Sequence, residues 1–67
     1  MATRSIDEQA QEIAESFING NISWAVNQVI QAKNKKIAAV LAVKVVLMLG
    51  DDGRASFVRA LHNRMVS

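Results

Sequence analysis

Ile37-Ala38-Ala39-Val40-Leu41-Ala42-Val43-Lys44-Val45-Val46-Leu47-Met48-Leu49 is the stretch from which the rest of the chain is read. Lys44 is its one polar member. A membrane span needs about 20 apolar residues, and this run is shorter. A buried strand would suit the β-branched Val40, Val43, Val45 and Val46. Strands usually run about 5–6 residues, however, and this run is much longer. Ala38, Ala39 and Ala42 favour helix, and Gly50 follows at a natural C′ position. The reading is a helix whose apolar side chains point all the way round, so it must be covered on every side. Its Ala38, Ala39 and Ala42 side is flat and lets another helix approach closely.

The neighbours of this run look built to cover it. Gly50-Asp51-Asp52-Gly53 reads as a turn in which Asp51 or Asp52 caps a last helix, about 52–65. Phe57, Val58, Leu61 and Met65 form the apolar stripe of that helix. Arg59, His62 and Asn63 point away, and Met65 to Ser67 are expected to fray. On the other side, Lys33-Asn34-Lys35-Lys36 reads as a polar bend, with Asn34 a candidate cap for a central helix of about 35–49. No Gly or Pro enforces that bend, so one long kinked helix over 22–49 is the alternative.

Upstream lies a helix of about 22–33, capped by Asn21 or Ser23. Its stripe is Ile22, Ala25, Val26, Val29 and Ile30, and Trp24, Asn27, Gln28 and Gln31 lie on the other side. The first helix, about 5–19, opens on Ser5-Ile6-Asp7-Glu8, which matches the capping box. Ile6, Ala10, Ile13, Ala14 and Phe17 share one face, and Glu8, Glu12 and Glu15 lie opposite. Gly20 stands at its C′ position. Met1 to Arg4 read as a disordered start. The sequence therefore predicts an all-α fold: a small bundle of four short helices, one domain over 1–67, around the apolar helix at about 37–49.

The totals bound the class. A chain of 67 residues buries only about 60% of the surface its unfolded form exposes, so it is marginal. It has no Cys and one His, which leaves no disulfide and too few soft ligands for structural zinc. No basic n-region precedes an apolar segment, so no secretory signal is read, and a cytoplasmic location is expected. Charge is uneven. Residues 1–20 hold Arg4 against Asp7, Glu8, Glu12 and Glu15. The remainder holds Lys33, Lys35, Lys36, Lys44, Arg54, Arg59 and Arg64 against Asp51 and Asp52. Such a basic surface suits nucleic acid or an acidic partner.

Several residues invite a chemical role. The carboxylates of Glu8, Glu12 and Glu15 could hold a cation, but nothing pocket-like accompanies them and a solvated face explains them. Asp51-Asp52-Gly53 resembles part of a calcium loop, but the further oxygen ligands and terminal Glu are missing, because Arg54-Ala55-Ser56 follow. His62 reads as a surface residue, with no Cys nucleophile and no Ser in an elbow. Lys44 is expected to snorkel or to pair with a carboxylate of the acidic helix. No enzyme, metal or cofactor is implied.

Trp24 is the sharpest hint. It either folds over the first helix or anchors a protein interface. With Asn27, Gln28, Gln31, Lys33, Lys35 and Lys36 it makes the candidate partner-binding surface. A helix-turn-helix reading competes for the same residues. Ser23, Asn27, Gln28 and Gln31 would then enter the major groove, and Lys33, Lys35 and Lys36 would hold phosphates. The acidic first helix and the polar turn residues Asn19 and Asn21 count against it. The expectation is a small non-catalytic interaction protein acting as a homodimer through its third or fourth helix. The unfavoured alternative is a dimeric DNA-binding regulator. The size suits an accessory protein of a phage or plasmid.

Overall fold

The computed structural model describes residues 5–66; the expected disordered start, Met1 to Arg4, lies outside them, as does Ser67. Four helices follow in order: α1 (Ile6–Ile18), α2 (Ile22–Ile30), α3 (Lys35–Met48) and α4 (Asp51–Val66). The described residues contain no strand. None of these helices is long and apolar enough to cross a membrane.

Local chemistry sets most of the boundaries. Ser5 is the N-cap of α1, and its Oγ accepts from Glu8 N at 3.2 Å. The same hydroxyl donates to Glu8 Oε1 at 3.3 Å, so the two side chains hold each other at the helix start. At the other end, Gly20 N donates to Phe17 O and Asn21 N to Ser16 O, at 3.1 and 2.9 Å. This crossed pair is a Schellman motif. It requires the left-handed backbone at Gly20, whose φ is +98°. A side chain there is strained by about 1–2 kcal/mol although nothing crowds it. Gly20→Ala is therefore expected to lower the melting temperature by several degrees in a circular-dichroism melt.

Asn34 decides that α2 and α3 are separate helices. Its backbone is extended (φ −150°, ψ 170°), and Oδ1 accepts from Ile37 N at 2.9 Å. An extended residue whose side chain satisfies the next helix interrupts the i to i+4 ladder without Gly or Pro. α2 ends at Ile30, short of the expected position near 33. Asn21 stands at its N-cap position, but neither it nor Ser23 supplies a side-chain cap there.

The α3–α4 junction differs from the sequence reading. Gly50 has no positive φ, and Leu49 ends α3 with an extended backbone. Gly50 O already accepts from Arg54 N at 2.8 Å, so Gly50 is the start of α4. Asp51 and Asp52 stand in its first turn and not before it, where their carboxylates meet the positive end of the helix dipole. The last carbonyls of α3 are satisfied by Arg54, whose Nε donates to Val46 O at 2.9 Å and to Leu49 O at 3.1 Å. Arg54→Met keeps the aliphatic stem and removes these donors. Because Arg54 is half-exposed, a loss of about 1 kcal/mol in chemical denaturation is expected. At Met65 and Val66, where fraying was expected, α4 continues to Val66.

The core is Ala10, Ile13, Ala14 and Phe17 of α1, Ala25, Val26 and Val29 of α2, Leu41, Val45 and Leu49 of the α3 run, and Phe57 of α4. Phe17 and Phe57 meet edge to face, centroids 5.3 Å apart at 86°. This geometry matches the ring quadrupoles. α2 and α3 each pack against all three other helices. The expected stripes are nevertheless narrower than their sequence. Ile22, Ile30, Val58 and Met65 are exposed at their margins.

The largest departure concerns α3. It is not covered on every side. Leu41, Val45 and Leu49, four residues apart, are buried. Val40, Val43 and Leu47 are 37%, 57% and 66% exposed. Three neighbours packed from one side leave the opposite face of this helix in water. Lys44 sits at the border and pairs with Asp7 of α1, Nζ to Oδ1 at 2.6 Å. The predicted pairing with the acidic helix is therefore present, through its first turn and not through the glutamates.

Candidate functional site

Of the seven residues expected to meet a partner, Trp24, Gln28, Gln31, Lys33 and Lys35 line three successive spaces along α2 and the bend after it. Trp24 comes first. It is 40% exposed and shares a crevice of about 20 Å³ with Gln9, Glu12, Ile13 and Gln28, room for about one water. Its covered part thus lies along α1, as one of the two readings had it, and the rest faces solvent. Full removal of a buried aromatic side chain costs about 3–5 kcal/mol. Trp24→Ala, at a partly exposed site, is expected to cost about 2 kcal/mol in urea denaturation.

Gln28 continues from that crevice into a second, of about 350 Å³, lined by Gln31, Lys33, Ile6, Gln9, Ile37 and Leu41. Lys33 in turn borders a third and larger groove, of about 660 Å³. Ala38, Ala39 and Ala42 of α3 line that groove, with Ile30 of α2 and Leu61 and Met65 of α4, and Lys35 joins Lys33 at its edge. Ala38 and Ala42 are half-buried against the core and Ala39 is exposed, so the alanine side of α3 is only partly covered and a groove stays open between it and α4. Lys36 is exposed in the first turn of α3. Asn27 is half-buried and lines none of these three spaces.

The helix-turn-helix geometry asks more of α2 than this arrangement offers. Gln28 is turned toward α1 and half-buried, and Glu12 lies in the same crevice. A carboxylate beside the reading face would repel phosphate. Ser23 and Gln31 are exposed, yet Ser23 lies beside Ala60, Asn63 and Arg64 of α4. The three lysines remain exposed at the bend and the start of α3.

The carboxylates of the first helix do not converge. Glu8 is held by Ser5, Gln11 donates to Glu15 at 3.5 Å, and Glu12 borders Trp24. Among the described residues no three of His, Cys, Asp and Glu gather where a metal ion could sit. Comparison with protein-family models, curated proteins and solved structures gave no match.

Sequence reasoning expected a contact on the third or fourth helix but did not resolve which face of α3 is left open. Val40, Val43 and Leu47 are spaced by three and four residues and form one exposed row on α3. Val46 and Ala39 flank it. Lys36 extends it by one turn toward the N-terminus, and the helix ends one residue after Leu47. Spacing of this 3-4 kind is the seam of a two-helix coiled coil. The signal was present in the sequence, but the buried set Leu41, Val45 and Leu49 is equally apolar and hides it.

Proposed function

We propose that this chain is a small non-catalytic interaction protein that works as a homodimer. The observation that carries the reading is the apolar row Val40, Val43 and Leu47, left in water by the fold of one copy. Contiguous apolar surface on a small protein marks an interaction site, and small chains without disulfides gain stability by oligomerising. Trp24, Gln31 and the lysines Lys33, Lys35 and Lys36 lie on exposed parts of the surface and supply the side that meets another protein. Trp24 is partly covered along α1 and partly exposed, a position that suits an interface anchor. The location that fits this reading is the cytoplasm.

Sedimentation equilibrium of the unaltered chain tests it. A dimer mass at micromolar concentration is the expected result, and a strict monomer at several hundred micromolar overturns it. The DNA-binding alternative draws on the exposed Lys33, Lys35 and Lys36. Titration of mixed-sequence duplex at low and raised salt addresses it. Tight, steeply salt-dependent binding would replace the protein-interaction reading with a DNA-binding one.

A further inference from the structure

We infer that the second copy docks antiparallel on α3, with Val43 near the two-fold axis and the lysine end of one helix against the aspartate end of the other. The inference rests on the homodimer reading and specifies its geometry. The exposed α3 positions Lys36, Val40, Val43 and Leu47 follow one another at intervals of four, three and four residues. This is an a/d heptad row, apolar at its last three positions. Its two ends carry opposite charge. Lys35 and Lys36 occupy the first turn of α3. Asp51 and Asp52 follow its C-terminus, both exposed; Arg54 lies 3.6 Å from Asp51 and offsets one of the two charges, so this end keeps a net negative charge.

Two ways of pairing the row have opposite electrostatic consequences. In a parallel pair, lysines face lysines and aspartates face aspartates. In an antiparallel pair centred on Val43, residue 39 lies level with 47 of the other copy and 38 with 48, which sets the Lys35 and Lys36 turn of one copy beside the C-terminal end of the other copy's α3. Each lysine pair then lies near the end that carries the partner's aspartates, twice per dimer. The helix dipoles also oppose, which favours this orientation. Flanking Ala39 is exposed and lacks bulk, so it admits close approach of the two backbones. No carboxylate lies within the row itself, and the adjacent Lys44 is already held by Asp7. The apolar strip therefore has charge complementarity to a second copy of itself at both ends.

Cysteine cross-linking reads the geometry directly, because the chain has no cysteine of its own. Val43→Cys should oxidise to a covalent dimer. Ala39→Cys and Leu47→Cys should each stay unlinked alone and should link when mixed, since disulfides form only at Cα separations of about 4.4–6.8 Å. Self-linking of Leu47→Cys would mean a parallel pair and overturn the inference. A dimer by sedimentation in which none of these variants links overturns the inference and leaves the homodimer reading standing. A monomer by sedimentation removes both.

Charge reversal gives an independent reading. Lys35→Glu with Lys36→Glu places carboxylates at the start of α3, which suits that helix dipole and should preserve or raise monomer stability. The same double variant should weaken self-association by roughly 10–100-fold at low salt, and less at high salt. Mixing it with Asp51→Lys plus Asp52→Lys should restore a heterodimer. No weakening by the lysine reversal alone overturns the antiparallel arrangement, because a parallel pair merely exchanges one like-charge contact for another.

Discussion

Phe57→Ala should abolish the folded state at room temperature, or leave it populated only with added osmolyte. Phe57 is fully buried and is the buried anchor of α4, the other residues of that helix being half-buried or exposed. Its ring also closes the edge-to-face contact with Phe17 of α1. Removal of a buried Phe costs about 3–5 kcal/mol through lost transfer energy and an unfilled cavity. The aromatic pair adds about 0.5–1.5 kcal/mol beyond area. At about 0.05–0.15 kcal/mol per residue, a domain of this size holds roughly 3–10 kcal/mol in total. One substitution therefore consumes most of the margin. Far-UV circular dichroism with a urea titration measures it. A midpoint shift worth less than about 1 kcal/mol would show that α4 is not fastened through this ring. Phe57→Leu, which keeps most of the volume, should lose much less.

Leu47→Lys should have the opposite profile. In one copy Leu47 is 66% exposed, so the change should alter the stability of the dilute monomer by about 0.5 kcal/mol or less. If the row on α3 is the dimer seam, the same change removes apolar burial from both copies and places two ammonium groups in the contact. Burial of a Leu side chain contributes about 1.5–3 kcal/mol. The exposed two-thirds, counted twice, corresponds to about 2–4 kcal/mol per dimer, or about 30- to 1,000-fold in Kd. Sedimentation across a concentration series, alongside a melt at low concentration, separates the two effects. An unchanged Kd would place the dimer contact elsewhere, with the apolar groove lined by Ile30, Ala38, Ala39, Ala42, Leu61 and Met65 the next candidate. The contrast between Phe57 and Leu47 is the practical consequence of the fold. Both are large and apolar, and their chain positions alone do not say which one a single copy needs.

Punctuation was the most legible part of the chain. Ser5 with Glu8, Gly20 and Asn34 act through atoms within three or four residues of themselves, so their roles as caps and stops follow from local geometry. The stripe of α1 was legible for a related reason: Glu8, Glu12 and Glu15 on one face leave no doubt about the other. Lys44 was legible in kind, because a charge amid apolar residues needs water or a partner, but its partner Asp7 lies 37 positions away in the sequence. Arg54 was not legible at all. Its guanidinium completes α3 from the far side of a turn, and arginine on a helix surface carries no pattern that announces this.

Local chemistry thus determined that the described chain is four helices and where most of them begin and end, since propensity, capping and backbone φ act over a few residues. Tertiary packing alone decided which side of α3 is inside. That helix has apolar side chains on every face and so carries no internal bias, and its orientation is set by the side from which α1, α2 and α4 approach. The same packing turned Gln28 against α1, left Ile22, Ile30, Val58 and Met65 at the rim, and opened Val40, Val43 and Leu47 to water. Burial is a property of the neighbours a residue acquires, and hydrophobicity in the sequence states only that a residue is able to be buried.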